Sequence, residues 1–332
     1  MIKVGIICPA EVALNRFIPA LLKCSHFKYV GVAVANREEY EGVTDTLLKQ
    51  EYNKAKLFVE SVGGKLFNSY SELINSREVD SVYLPLPPGL HYKWVKYALL
   101  AGKHVLVEKP CAETLEQTEE LIQIAKNNSL VLYENYAFIY HKQIYAIQQM
   151  IDQRIFGDIR LYRINFGFPL RSSNDFRYNK LLGGGALLDC AGQVLRYASM
   201  LLGDTAKIMY AHKNFINEYE VDMYGSATMI NSDGLVAQLS WGMDNCYRCE
   251  LDVWGNKGCL KTSRILTAPV GFKPTAIVKI GNESEQIITL PEDDVFYNSI
   301  NNFYRCIIDS EVREETYKYI KRQSELISSC YK

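Results

Sequence analysis

The chain has 332 residues and a formal net charge of -1, with 48% hydrophobic and 23% charged residues. This composition fits a packed fold of one large or two ordinary domains and excludes a disordered chain. No basic or acidic block disturbs the balance, so nucleic acid is not an expected partner, because phosphate binding needs clustered Lys and Arg.

No apolar run reaches the ~18 residues of a membrane span, and MIKVGIICPAEVALNRF lacks the parts of a signal peptide. Nine scattered cysteines read as reduced thiols, so a cytoplasmic protein without membrane contact is expected.

Up to about residue 138, strand-like and helix-like segments alternate. IKVGII reads as a short buried strand. EVALNRFIPALLK carries apolar residues at Val12, Phe17, Ile18, Leu21 and Leu22, the spacing of a helical face. YVGVAVA and VDSVYLPL read as the next strands. HYKWVKYALLAG gathers Trp94, Val95, Ala98 and Leu99 on one face, with Gly102 as its stop. KHVLV is a further strand. Thr114 and Gln117 form a capping box for LEQTEELIQIAKNN, and SLVLYEN closes the series. Continuously apolar strands between helices predict a parallel sheet covered on both faces.

Beyond residue 155 long strand-like segments follow one another: IRLYRINFGF, AKIMYAHKNF, MYGSATMI, LVAQLSWGM, CELDVWG, CLKTS, TAIVKIG and EQIITL. Asp233-Gly234 between two of them is a hairpin signal. One helix, GGGALLDCAGQVLRYASMLLG, interrupts them, and helices at about 295–309 and 312–330 end the chain. The predicted class is α/β. A doubly wound parallel sheet occupies residues 1–138, and an α+β domain with a large, open, mostly antiparallel sheet occupies 139–332. The last helix is placed to pack back on the first domain.

Several stretches could carry chemistry. GIICPAEVA lies where a dinucleotide-binding chain places G-x-G-x-x-G/A, but those positions hold Cys8, Ala10 and Ala13, and Pro9 removes an N–H. The helix start at Glu11 and Val12 is an anion site in principle; the turn reads equally as a plain βα connection. The second strand ends in Asn36 and Arg37, where an NAD-binding chain puts an acid for the ribose. A guanidinium there favours a 2′-phosphate, hence NADP(H) over NAD(H). Glu38 and Glu39 follow, and a solvated loop arginine would look the same.

LPLPPGLH, holding Leu86 and Pro87, is a rigid loop at a carboxyl strand end, the edge where such sheets bind ligands. His91 then opens a helix, as a surface residue or as a catalyst. GKHVLVEKP ends a buried strand in Glu108, Lys109 and Pro110. That is either an exposed turn or a strand delivering an ammonium group to a fixed point. Asp189, Gln193 and Arg196 are spaced four and three apart on an otherwise apolar helix. Such a stripe needs partners or a cavity. Cys246 and Cys249 have CxxC spacing without a second pair and read as two packed thiols in a strand, so no metal is expected.

Taken together, LPLPPGLH, AGKHVLVEKP, ENYAFIYHKQ and FRYNKLLGGGALLD, in this order, resemble the Gfo/Idh/MocA oxidoreductases. More narrowly they resemble the branch of the sugar-nucleotide C-3 ketoreductases and dimeric dihydrodiol dehydrogenases; TAPVGFKPT and LPEDDVFYN look like that branch too. The resemblance covers nearly the whole chain. It implies an N-terminal Rossmann domain and a C-terminal domain whose open sheet often makes an oligomer interface, so a homo-oligomer, dimer or tetramer, is expected. It also implies that the lysine of E-K-P sits beside the nicotinamide, with a Lys-Pro bond that is commonly cis; Lys109 matches that position.

A placed ammonium can stabilise the oxyanion of a ketone receiving hydride and donate its proton. The family's later motif, D-x-G-x-H or D-x-G-x-Y, ends in a proton donor. Here Asp189, Cys190, Ala191, Gly192 and Gln193 stand instead. An amide can hydrogen-bond a substrate oxygen but is no acid near pH 7. Arg196 matches an arginine often seen in the branch. The first turn resembles a branch pattern G-C-A-D-I-A, with Ala10 and Ala13 matching but Cys8 and Pro9 not.

The expected function is NADP(H)-dependent hydride transfer to or from a sugar carbonyl or hydroxyl, on a nucleotide-linked keto-sugar of deoxysugar or surface-polysaccharide biosynthesis. Lys109 is the expected proton donor, Asp189 and Gln193 orient the substrate, and Tyr136, His141 and Arg177 line its pocket. Cofactor contacts are expected from Cys8, Pro9, Ala10, Glu11, Val12, Asn36, Arg37, Leu86, Pro87, His91, Glu108 and Lys109. The alternative is a non-catalytic relative that binds cofactor or sugar nucleotide as a partner or regulatory subunit. Lyase or glycosidase action would want an extra base near Gln193, which the sequence lacks.

Overall fold

The computed structural model describes residues 1–39 and 44–331. Its first half builds a six-stranded parallel sheet from β1 (Ile2–Ile7), β2 (Phe27–Ala33), β3 (Lys65–Phe67), β4 (Ser81–Leu84), β5 (His104–Glu108) and β6 (Leu132–Asn135). The order is β3-β2-β1-β4-β5-β6, the doubly wound order that reverses beside β1. The connections are a π-helical turn at Ala13–Phe17 running into α1 (Ile18–Leu21), then α2 (Asp45–Val62), α3 (Tyr70–Asn75), α4 (Pro88–Leu100) and α5 (Leu115–Asn127). Ile6, Ile7, Val32, Val82, Leu84, Val105 and Val107 are buried, as expected of strands with helices over both faces.

The expected elements of this half are present, with three differences. The sequence pattern assigns no element between residues 36 and 78, where the structure places α2, β3 and α3. Among the described residues of α2 only Ala55 and Phe58 are buried, so its apolar stripe is too thin to read. α4 starts at Pro88 and not at His91; Pro suits a first turn, where its missing N–H leaves no bond unmade. Thr114 caps α5 by accepting the Gln117 N–H at 3.2 Å, but Gln117 reaches back to the N–H of Glu113, so the reciprocal bond of a capping box is displaced by one residue.

The second sheet has eight strands: β7 (Ile159–Gly167), β8 (Lys207–Phe215), β9 (Asp222–Ile230), β10 (Val236–Gly242), β11 (Arg248–Gly255), β12 (Gly258–Ser263), β13 (Thr275–Ile280) and β14 (Gln286–Thr289). Their order is β14-β13-β12-β11-β7-β10-β9-β8. Only the β7–β10 pair is parallel; every other pair is antiparallel.

α6 (Lys142–Asp152) precedes this sheet, and a π-helical turn at Leu187–Ala191 runs into α7 (Gly192–Leu202). Val194, Leu195, Tyr197, Ala198 and Leu202 of α7 share a buried core with Tyr162, Ile164, Leu239, Trp241, Leu251 and Val253 of the sheet. The opposite face is open. One register row across it runs Thr228, Gln238, Arg163, Asp252, Lys261, Ile277 and Ile287.

Helices α8 (Val295–Ile308) and α9 (Ser310–Ser329) end the chain. The protein divides into two compact units, Met1–Asn135 with Phe296–Lys321, and Tyr136–Val295 with Arg322–Lys332. The units do not follow chain order at the carboxyl end. Tyr304 stacks on His26, and Tyr317 and Ile320 enter the core of the parallel-sheet unit, so residues 296–321 belong there and not to a continuous 139–332 domain. Apolar burial decides this, since the aromatic residues of α8 and α9 find their partners in that core.

Candidate active site

The parallel-sheet unit carries the predicted cofactor residues at the carboxyl ends of its strands. Cys8 follows β1 with φ +82°, the left-handed conformation that glycine supplies in a dinucleotide turn. Its N–H bonds the Ala33 carbonyl at 3.1 Å. Burial pushes its thiol up to about 12, and the thiol bonds Tyr70. A motif that fails as sequence is thus kept as backbone. Pro9 is buried, Ala10 and Val12 are half-buried, and Glu11 is exposed. The Ala10 carbonyl accepts the Ala13 and Leu14 N–H groups. The N–H groups of Glu11 and Val12 head this helix, where no carbonyl lies one turn back.

At the end of β2, Asn36 folds its side-chain carbonyl onto the N–H groups of Glu38 and Glu39, each at 3.0 Å. Glu39, the second of the two acids that follow Arg37, is committed elsewhere. Its carboxylate accepts the N–H groups of Asn36, Tyr70 and Ser71 and the Ser71 hydroxyl, at 2.7–3.1 Å. Glu39 therefore caps α3 from 31 residues away in sequence. Arg37 is exposed and ion-pairs with Asp45. Lys93 Nζ bonds the Glu39 carbonyl at 3.2 Å, which brings a second cation to this loop.

After β4, Leu86 is buried and Pro87 half-buried. His91 is fully buried. Its Nδ1 lies 2.7 Å from the Pro110 carbonyl oxygen and its Nε2 lies 2.7 Å from that of Leu86. The expected cofactor contact of His91 is corrected by this geometry: both ring nitrogens are engaged by backbone and no edge is left for a ligand.

Glu108 ends β5 and accepts the Tyr83 hydroxyl and the Asn135 amide on one oxygen, each at 2.7 Å. Asn135 in turn accepts the Ser299 hydroxyl at 2.7 Å. Burial raises the pKa of Glu108, while its two hydrogen bonds and the Lys109 charge oppose the rise. Lys109 follows half-buried, and the Lys109–Pro110 bond is cis.

The mixed-sheet unit carries the predicted substrate residues. Arg177 Nε bonds Asp189 Oδ2 at 2.7 Å and Nη1 bonds Asp175 Oδ1 at 3.1 Å, with the guanidinium 4.5 Å from the centre of the Phe176 ring. Burial would lower its pKa, but the charges and hydrogen bonds of Asp189 and Asp175 outweigh burial and raise it. Asp175 is a partner that no motif of the sequence singles out. Its signal was its place two residues before Arg177, where it also accepts the Arg177 N–H at 3.0 Å.

His141 is buried and caps α6, its Nδ1 accepting the Gln143 N–H at 3.1 Å. Its Nε2 therefore carries the proton, and this donor has no partner among the described residues. Burial lowers its pKa, with Asp293 opposing. Tyr136 turns its hydroxyl to the Gln323 amide at 3.1 Å. A Cβ at Gly192 would stand 2.3 Å from that hydroxyl, so the close approach requires glycine there.

Gln193 is half-buried and makes no side-chain hydrogen bond among the described residues. The expected polar stripe is divided. Asp189 lies in the π-helical turn, whose wider spacing takes it off the row of Gln193 and Arg196. Asp189 and Arg196 are buried, and Gln193 is not.

Among the described residues no group of three or more His, Cys, Asp or Glu side chains gathers as a metal site. Cys249 is buried and accepts the Leu266 N–H, but Cys246 lies exposed in the turn before β11, so only one of the two is a packed thiol. Among the described residues no helix is long and apolar enough to cross a membrane.

Residues 20–136 match the model of an oxidoreductase family with an NAD-binding Rossmann fold (Gfo/Idh/MocA), and residues 144–261 match the Gfo/Idh/MocA C-terminal domain. The chain is 32% identical over 330 residues to a dTDP-3,4-didehydro-2,6-dideoxy-alpha-D-glucose 3-reductase of Actinomadura kijaniata, across 99% of this chain and 94% of that protein. A trans-1,2-dihydrobenzene-1,2-diol dehydrogenase of Xenopus tropicalis is 27% identical, across 83% of this chain and 78% of its own. The crystal structure of a 3-ketoreductase from Actinomadura kijaniata with NADP and TDP-benzene matches with a TM-score of 0.91 and 31% identity, across 99% of this chain and 97% of that one.

Proposed function

The chain belongs to the Gfo/Idh/MocA oxidoreductase family, and from that premise we propose an NADP(H)-dependent 3-ketoreductase acting on a nucleotide-linked keto-deoxysugar. The observation that carries this reading is the end of β5, where a strand with a buried centre closes in Glu108, Lys109 and Pro110, with Glu108 held by the Tyr83 hydroxyl and the Asn135 amide. The relatives with named activities support the substrate class. The end of β2 supports NADP(H): Glu39 is buried under four hydrogen bonds while Arg37 and Lys93 remain as cations.

When bound, NADPH supplies the hydride to the ketone carbon. Lys109 stabilises the charge that builds on the ketone oxygen and gives that oxygen a proton, which completes the alcohol. The Gln193 amide and the His141 Nε2–H donate hydrogen bonds to sugar oxygens. Neither is an acid at neutral pH, the amide by its chemistry and His141 because burial keeps it neutral. Asp189, held by Arg177, orients the sugar. The alcohol-oxidising direction uses the same residues in reverse.

Two further parts belong to this reading. Copies of the chain associate through the open face of the eight-stranded sheet, which light scattering on the purified protein would test. Nine free thiols support a reducing compartment, the cytoplasm.

The test is a fluorescence titration with NADPH and NADH, followed by turnover of a dTDP-linked 3-keto-deoxysugar. NADPH binds more tightly than NADH, and Arg37→Ala narrows the gap by roughly tenfold, the loss expected for one charge-assisted phosphate contact. Lys109→Ala keeps NADPH affinity within several-fold and lowers kcat by about 100-fold or more. Turnover that survives Lys109→Ala would require another proton source, and tight binding with no turnover by the wild type would mark a binding protein.

A further inference from the structure

In the mixed-sheet unit, Arg264 follows β12 with φ +51°, a conformation that L side chains rarely adopt. Its guanidinium carbon lies 5.2 Å from the centre of the Tyr247 ring and 5.7 Å from that of the Phe272 ring. Both rings are anchored. The Tyr247 hydroxyl meets the Thr267 hydroxyl at 2.8 Å, and the Phe272 N–H bonds the Pro269 carbonyl at 3.1 Å. Arg264 is half-buried, yet among the described residues its side chain has no hydrogen-bond acceptor and no carboxylate partner. A ring attracts the charge but accepts no strong hydrogen bond from the five N–H donors. We propose that Arg264 is a substrate-binding residue that holds the diphosphate of a nucleotide-linked sugar. The proposal rests on the reading of the substrate as a sugar nucleotide.

Arg264 stands at the end of the sheet where the expected substrate residues gather. A register row runs Ser263, Glu250, Asn165 and Ser240 across β12, β11, β7 and β10. Arg264 continues the chain just beyond this row, and so does Gly242 at the end of β10. The Gly242 carbonyl accepts the Cys190 thiol at 3.7 Å, one residue from Asp189. Three strand spacings separate β12 from β10, roughly 14 Å. A hexose joined to a diphosphate, with a hydrogen bond at each end, bridges such a distance. The Arg264 carbonyl also accepts from Gln143 Nε2 at 3.4 Å. His141, the N-cap of that helix, keeps a buried Nε2–H without a partner among the described residues. An arginine used only for packing meets carboxylates, as Arg177 meets Asp175 and Asp189. The Arg264 fork is instead held by rings, and two phosphate oxygens match its geometry.

Calorimetric titration of the purified full chain with dTDP and, separately, with thymidine tests this. Arg264→Gln keeps a planar amide but not the charge. It weakens dTDP binding about tenfold or more, the worth of a lost charge-assisted pair. Its thymidine and NADPH affinities stay within about twofold of the wild type, because neither ligand brings a diphosphate to Arg264. Unchanged dTDP affinity overturns the assignment. An equal loss for thymidine also overturns it, since Arg264 would then serve the nucleoside. Should Arg264→Gln not fold, Phe272→Leu is the second test. There dTDP affinity falls about threefold as the guanidinium loses one of its rings, and no change overturns the assignment. A wild type that binds none of dTDP, UDP and GDP sinks the sugar-nucleotide reading and the assignment together. Wild-type dTDP binding that Arg264→Gln leaves intact sinks the assignment alone.

Discussion

Cys8 occupies a backbone conformation that its own side chain disfavours. An L residue in the left-handed region costs ~1–2 kcal/mol, and Cys8 is held there by its N–H bond to Ala33 and by the packing of its thiol on Tyr70. Cys8→Gly removes the strain and the thiol contact together, so stability changes by no more than about 1 kcal/mol and NADPH affinity holds. Cys8→Val keeps a side chain but adds a β-branch at this φ, and it lowers stability by about 2 kcal/mol or more. Urea unfolding of both variants checks this; equal losses would mean that the thiol contact, and not the φ, holds the turn. The sequence shows plainly that glycine is absent from the turn. It does not show that the backbone is unchanged, because φ is decided by contacts with β2 and α3.

Two helices begin with a π-helical turn, Ala13–Phe17 before α1 and Leu187–Ala191 before α7. The turn admits one more residue than an α-helical turn and re-aims whatever it carries. In the second case that residue is Asp189, which meets Arg177 and not the row of Gln193. Apolar periodicity cannot show a single wide turn, since the buried stripe continues on either side of it. The pair has a testable cost. Arg177→Ala removes the guanidinium that pairs with two largely buried carboxylates and destabilises by about 3 kcal/mol, while Asp175→Asn, which keeps the Arg177–Asp189 pair, costs about 1 kcal/mol. Urea unfolding distinguishes them, and comparable losses would mean that Asp175 is the main partner.

Glu108 links local burial to the pH dependence of the whole molecule. Its pKa is raised in the folded protein, first by burial, so the folded state holds this proton more tightly than the unfolded one. The stabilising contribution is full below the unfolded value of about 4.3 and is lost as pH rises through the folded value. Glu108→Gln keeps an acceptor for Tyr83 and Asn135 but does not titrate. Unfolding free energy measured from about pH 4 upward therefore falls more steeply for the wild type than for Glu108→Gln over that window. Parallel curves would show that Glu108 is not perturbed. Residues 296–321 leave the chain order of the second domain because Tyr317 and Ile320 bury their surface in the first core.

The two architectures, nearly all the strands and the strand-end position of Lys109 are legible in the order of residues along the chain. Hydrophobic period, caps and turn residues act between neighbours and are legible in order along the chain. The partners of the polar residues come from the folded chain instead. Glu39 meets Ser71 across 32 residues, His91 meets Pro110 across 19, and Arg177 meets Asp189 across 12. A buried carboxylate, imidazole or guanidinium must find a partner wherever the folded chain brings one, and that partner is set by the closing of loops, which no local pattern records.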